Sequence, residues 1–462
     1  MLKKFTILLS LCTLSALCPL CTPCFAQEEK TVTIQMPTQY GSCDVRELLK
    51  THAPVVNQSK RRRAEAVQER TLWIDRITNL PEYLRDFYDR VDGDIQKVLD
   101  GKVSSLSMPE LSHYDGDTYA YKVCAFTETF PFTYTSESDL QQKALEAVGD
   151  HANRAWDQFL SFIPYICLCI NMDFPQAFWL NTTYSYFNAY SINYSYNQGS
   201  KTGNSTYEIT MYFTLKSSDY DIRRSEFQSG ELVAEGVERY KTAIETIFSG
   251  YPEEGTRYEK LLYLNDWLTQ HNCYNSLTDE SSRPDIAWSP LSALEGTVGE
   301  NGPVCEGYSR AFKVLCDQKN IPCILASGWA RDDLYAKGEP HMWNQVKMAD
   351  GQWYAIDVTW NDPVVGRTAA ISGGENHNWF LLGSNTEVQP GFTFSQSHPE
   401  DKTGGFSSQG SYSWSMADGP ALSPDKYDPE SAGEDPGEDP QPHEDIITLS
   451  DITDLIDRYL AQ

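Results

Sequence analysis

The chain has 462 residues, 22% of them charged, with a formal net charge of −28. The length allows two or three domains. The acidity argues against a phosphate-backbone ligand, and no basic stripe, phosphate-binding loop or dinucleotide fingerprint offsets it, so no nucleic-acid partner is expected.

The first residues, MLKKFTILLSLCTLSALCPLCTPCFA, place two lysines before an apolar run and end on Cys-Phe-Ala. This is the three-part pattern of a secretory signal over 1–26, with cleavage after Ala26. The run is shorter than the ~20 residues of a membrane span, and no later segment is long and apolar enough. The mature protein is therefore expected to have no membrane span and to be secreted, periplasmic or at the cell surface. Eight of the twelve cysteines follow the signal: Cys43, Cys124, Cys167, Cys169, Cys273, Cys305, Cys316 and Cys323. Export permits disulfides, but these spacings form no framework. Cys167 and Cys169 read as apolar filler. Cys316 reads as a core residue, with a Cys316–Cys323 bridge as the lesser alternative.

Residues 27–230 form an N-terminal region that reads as mostly helical with one Tyr-rich hairpin. Its start, 27–58, shows little pattern. Leu72, Ile77, Leu84 and Phe87 fall at helical intervals between about Arg61 and Asp100, with Pro81 as a break, and a second helix covers roughly 137–163. TTYSYFNAYSINYSYN and STYEITMYFTL then alternate aromatic and polar residues around a Gly-containing turn, a hairpin whose tyrosines fill a half-buried sheet.

Residues 231–393 form a second domain. GELVAEGVERYKTAIETIF and RYEKLLYLNDWLTQH are amphipathic helices, and Ser289-Pro290 starts a short one. Residues 394–427 suggest closing strands or irregular structure, and 428–445 an acidic, Pro-rich linker. The last stretch, 446–462, makes one amphipathic helix similar to half of a dockerin repeat. The Asp-rich calcium loop of such a repeat is absent, so the helix suggests a docking partner and no calcium.

The chemistry centres on GPVCEGYSRAF, 302–312. Tyr308, Ala311, Phe312, Leu315 and Cys316 make one buried helical stripe that ends at Asn320 and Pro322. Cys305 sits at the helix start, where the helix dipole favours a thiolate and free N–H groups can meet an oxyanion. A strand, IPCILASGWA, follows, then the hairpin HMWNQVKMADGQWYAIDVTWND. A two-residue turn would put His341 and Asp357 on opposite faces. A three-residue loop, Ala349-Asp350-Gly351, pairs Met348 with Gln352 and puts them on one face, His341 opposite Thr359 and diagonal to Asp357. Asp357 then holds one imidazole nitrogen and the other faces Cys305, a triad for attack on an amide carbonyl.

GPVCEGYSRAFKVLCDQKNIPCILASG, HMWNQV and WYAIDVTWND resemble the transglutaminase-like superfamily in order and residue type, from about Tyr258 to Gly383, where NHNWFLLGS looks like a closing strand. The region before it, with FPQAFWL, looks similar to the leader of secreted bacterial members. The resemblance implies an α+β fold, with a papain-like transglutaminase core of a cysteine-bearing helix on an antiparallel sheet. It implies Cys305 as nucleophile, His341 as general base and acid, Asp357 as orienter, and Trp288 near the acyl site as an oxyanion candidate. One departure is the Gly302-Pro303-Val304 lead-in, where a simpler Gly-Val is expected. The expected activity is thiol-dependent acyl transfer on protein or peptide amides, as a cysteine peptidase or amidase, with neither cofactor nor metal. A protein cross-linking enzyme is the alternative within this chemistry, and a non-catalytic scaffold or binding protein that keeps the fold is the alternative outside it.

Overall fold

A computed structural model describes residues 29–35, 39–41, 72–101, 120–180, 186–214, 227, 230–362, 376–400, 406–409, 412–415 and 418–432. The signal expected over 1–26, Cys43, most of the acidic linker and the helix expected over 446–462 lie outside the described residues.

The aromatic alternation that predicts a hairpin does form one. Strands β1 (Glu29–Gln35) and β2 (Gln39–Gly41) precede a 3-10 turn at Trp73–Arg76 and helix α1 (Glu82–Leu99), for which Pro81 is the N-cap. Then come β3 (Ala120–Thr133), α2 (Leu140–Asp173), β4 (Tyr186–Asn197) and β5 (Thr202–Thr214). The strands make an antiparallel sheet in the order β1-β4-β5-β3, with β2 also on β4. Ile192, Tyr194, Tyr207 and Ile209 point inward, the half-buried face that the alternation predicts. Three features were not legible in the sequence. Strand β3 carries Pro131 and sits at the sheet edge, where a missing N–H is tolerated. Strands β1 and β2 lie in the stretch that reads as patternless. Helix α2 continues ten residues past its expected end, through Pro164. Its second half buries Ile166, Cys167, Leu168, Cys169 and Ile170, and that burial outweighs the hydrogen bond lost at the proline.

The second part follows the predicted pattern closely. Helix α3 spans Gly230–Phe248 and α4 Arg257–His271, the latter started by a Thr256/Glu259 capping box. Helix α5 (Pro290–Leu294) is capped by Ser289, whose Oγ accepts the Leu291 N–H. Helix α6 (Cys305–Gln318) buries Tyr308, Ala311, Phe312, Leu315 and Cys316 completely and ends where Asn320 turns to φ 55°. Strands β6 (Cys323–Ala330), β7 (Glu339–Lys347) and β8 (Trp353–Ile356) form an antiparallel sheet in that order. Cys316 and Cys323 are buried free thiols, not a disulfide.

The β7–β8 register pairs Lys347 with Trp353, and Met348 N donates to Gln352 O at 2.9 Å. The connection is therefore the three-residue loop 349–351, with Gly351 at φ +77°. Strand β8 stops at Ile356, three residues short of the Thr359 that the expected strand reaches. The Asp357 Oδ1 accepts the Trp360 N–H at 3.1 Å and caps a short helix, α7 (Val358–Asn361), so Thr359 lies on a helix and does not face His341 across a ladder. The segment 376–384 meets β8 through a single bridge, Ala355 with Leu382, rather than as a full strand. Strands β9 (Glu387–Gln389) and β10 (Phe392–Thr393) lead into a one-turn helix, α8 (Phe394–Ser397), and β11 (Phe406–Gln409) pairs with β12 (Tyr412–Ser415).

One apolar core joins the two parts, running from Trp73, Phe87, Phe159 and Ile166 to Leu264, Phe312, Leu325 and Ile356. Polar contacts fix the join. The Trp73 Nε1 donates to the Leu325 carbonyl on β6 at 3.1 Å. The buried Asp173 carboxylate accepts from Trp73 N, Ile74 N and Tyr88 Oη. Arg310 of α6 pairs with Glu306 and donates to the Asn171 carbonyl at the end of α2. Among the described residues, no helix is long and apolar enough to cross a membrane.

Candidate active site

Helix α6 is held against β7 by polar contacts that fix where its first residue falls. Ser309 Oγ donates to the Met342 carbonyl at 2.8 Å, and the buried Asn344 amide donates to the Ser309 carbonyl at 2.9 Å. Tyr308 Oη donates to Asp362, just beyond α7. These bonds bring the N-terminus of α6, the start of β7 and the end of β8 to one place.

Cys305 is the first residue of α6, and of the free cysteines described it is the one not buried. Its N-cap, Val304, has no side-chain oxygen with which to occupy the N–H groups of the first turn. His341 Nε2 lies 2.7 Å from Asp357 Oδ2, and the Cys305 thiol is near enough to the same imidazole to help raise its pKa. With Nε2 engaged, Nδ1 is the nitrogen left for the sulfur. Trp360 packs over the imidazole at 5.5 Å and Trp343 at 6.3 Å, which shields the His341–Asp357 bond from water.

Burial works against charge on His341. The Asp357 carboxylate, by charge and by hydrogen bond, and the neighbouring Cys305 outweigh it and raise the imidazole pKa to about 10. Burial would likewise push Asp357 up. The charge of His341 and the hydrogen bonds from His341 and His398 instead hold it well below the usual carboxylate range.

Two residues at this site carry no signal in the sequence analysis. His398, just past α8, is buried, and its Nε2 lies 3.0 Å from the same Asp357 Oδ2. The lone His-Pro-Glu stretch around it has no helical or strand period, and nothing in its spacing links it to a carboxylate 41 positions away. Tyr274 is the second; it is near enough to Cys305 that the thiol, after burial, helps raise its hydroxyl pKa. Tyr274 also packs on a small cluster of Ala287, Trp288 and Val304. Trp288 is thus one residue-contact from Cys305, buried beside the lead-in that carries Pro303. That lead-in is tied down by Val304 N to Ala287 O at 2.9 Å and Asn275 N to Pro303 O at 3.0 Å.

His341 Nε2, Asp357 Oδ2 and His398 Nε2 lie within 4.8 Å of one another, a donor set of metal-ligand type. Both nitrogens are already at hydrogen-bond distance from a single carboxylate oxygen, so the trio reads as a hydrogen-bonded array.

A thiol at a helix N-terminus, beside a strand-borne imidazole steadied by a carboxylate, is the geometry of the papain-like thiol-enzyme class. Residues 248–358 match the model of the transglutaminase-like superfamily, so this part of the chain is a transglutaminase-like domain within a mixed fold of helices and antiparallel sheet. The matched span contains Cys305, His341 and Asp357; His398 lies beyond it. Among solved structures, the chain is similar to one named "Putative Cysteine Protease from Cytophaga hutchinsonii", with 17% sequence identity and a TM-score of 0.20. That match covers 42% of this chain and 65% of the other. No curated protein matches the chain.

Proposed function

We propose that the protein is a thiol-dependent acyl-transfer enzyme acting on protein or peptide amides, with hydrolysis as its normal outcome: a cysteine peptidase or amidase. The observation that carries this is the 2.7 Å pairing of His341 with the buried Asp357, beside a partly exposed Cys305 near enough to the imidazole to help raise its pKa. In the first half-reaction His341 takes the Cys305 thiol proton, the sulfur attacks the amide carbonyl, and the C–N bond breaks as His341 passes that proton to the departing amine. That leaves a thioester on Cys305. In the second, His341 takes a proton from water as the water oxygen attacks the thioester, and the acid leaves while the sulfur regains its proton. Asp357 keeps Nε2 engaged and steadies the imidazolium throughout. The oxyanion is assigned to the first-turn N–H groups of α6 with either Tyr274 or Trp288 as the side-chain donor.

A polymeric substrate is favoured by the loop that leads into His341, where Trp329, Leu334 and Tyr335 expose apolar surface, Tyr335 at 93%. Export is proposed on the N-terminal pattern over 1–26, and a docking partner on the amphipathic sequence pattern over 446–462.

The test is incubation of the full chain with a peptide library, with and without a primary amine, read by mass. Cleavage or deamidation without the amine is the expected result. Amine incorporation that replaces hydrolysis would make the protein a cross-linking enzyme, and no change in any peptide would leave a scaffold. Cys305→Ala is expected to lower turnover by about 10⁴-fold or more.

A further inference from the structure

We infer that His398 is a positioning residue of this site, the third fixed point of the Asp357 carboxylate, and that it sets how strongly that carboxylate acts on His341. The inference rests on the reading of Cys305, His341 and Asp357 given above and extends it by a residue outside the matched span.

The geometry is specific. Asp357 Oδ1 takes the Trp360 N–H at 3.1 Å, while Oδ2 takes His341 Nε2 at 2.7 Å and His398 Nε2 at 3.0 Å. Three elements, α7, β7 and the end of α8, thus converge on one carboxylate that is 0% exposed. The His398 ring cannot swing away. It stacks on Phe394 at 4.6 Å with 12° between planes, and Trp343, Trp360 and Trp379 close around it at 4.7–5.2 Å. Its Nδ1 lies 3.1 Å from Ser397 Oγ, whose one proton goes to the Arg331 carbonyl at 2.7 Å.

Protonation follows from the surroundings. The titratable or charged groups facing His398 are His341 and Asp357 on one side, and Arg76, Glu400 and Asp418 across the cavity it lines; Cys305 lies beyond His341. Burial, together with the charge on His341, lowers the His398 pKa further than Asp357 raises it. His398 is therefore neutral near pH 7, with its single proton on Nε2, donated to Asp357. A neutral donor on Oδ2 draws part of the carboxylate's charge away from His341 and fixes its rotation without adding a cation beside the imidazolium.

The test compares His398→Phe with His398→Gln. Phenylalanine keeps an aromatic ring in the cage and removes the donor; glutamine restores an N–H donor. His398→Phe is expected to lower kcat/KM about 10- to 100-fold, the loss of one hydrogen bond to a buried charge, and His398→Gln to recover most of it. The imidazole titration of His341, followed by NMR with Cys305→Ala in every protein so that no turnover is needed, is expected to move to higher pH in His398→Phe. An unchanged titration and rate in His398→Phe, or a His398→Gln as slow as His398→Phe, would overturn the inference. The two readings fail separately. A His341 titration that moves in a protein inactive on every amide keeps the hydrogen-bond network and removes the acyl-transfer function. An active wild type whose rate and titration ignore His398 removes only the inference.

Discussion

His341 holds its proton more tightly in the folded chain than in the unfolded one, because Asp357 lies 2.7 Å away in a site closed by tryptophans. Its folded pKa is about 10, against about 6.5 unfolded. The sign follows from linkage: the stabilisation is complete below about pH 6.5 and is lost as pH rises towards 10. Asp357 is shifted the other way, so its share is present at neutral pH and is lost as pH falls below the ordinary carboxylate range, about 4. A stability plateau between about pH 4 and 7 is expected. Urea midpoints at pH 7 and pH 10 check the upper edge: the wild type should lose a few kcal/mol, and His341→Gln distinctly less. At this scale Cys305 and His341 were legible because each sits in a strongly patterned element, and Asp357 because it directly follows one. His398 was not, because its partner is reached through tertiary folding alone.

Helix α6 and the β7–β8 hairpin are the elements that place the chemistry. The helix stripe of Tyr308, Phe312 and Leu315 could be read directly from its 3.6-residue period. The hairpin turn could be read as well, because only an odd-length loop puts His341 and Asp357 on one face, and Gly351 is available for the positive φ. What the pattern hid is where β8 ends. An aspartate that caps a helix looks, in sequence, like one more residue of an alternating strand. Strand β3 and the second half of α2 were hidden for a similar reason: Pro131 and Pro164 signal breaks that edge position and burial override. The Arg310–Glu306 pair, with Arg310 also on the Asn171 carbonyl, locks α6 to α2 from a site where the arginine side chain is 8% exposed. Arg310→Ala removes both the Glu306 pair and the bond to the Asn171 carbonyl, and is expected to cost about 3 kcal/mol in chemical denaturation. A change under 0.5 kcal/mol would show that the contact is incidental.

At the scale of the molecule, the transglutaminase-like part and the region before it share one continuous apolar core among the described residues. Trp73, 1% exposed, packs in the same cluster as Leu325 of β6 and donates to that residue's carbonyl, while Asp173 gathers the backbone of 73 and 74. Sequence reading divides the chain near residue 230, because composition and period change there, and such changes do not reveal which faces later meet. Trp73→Ala is expected to cost about 3–5 kcal/mol and to lower the melting of the whole described core together, seen as one shifted calorimetric transition. Two transitions, with only the first shifted, would separate the parts.

The central claim is that the Cys305 thiol is reachable and activated by His341. The most direct measurement is the rate of iodoacetamide alkylation of each cysteine in the native chain across pH, located by peptide mass, for wild type and His341→Ala. Selective labelling of Cys305 near neutral pH, strongly slowed in His341→Ala, is the expected result. Labelling of Cys305 as slow as that of buried Cys316, or unaltered by loss of the imidazole, would contradict it.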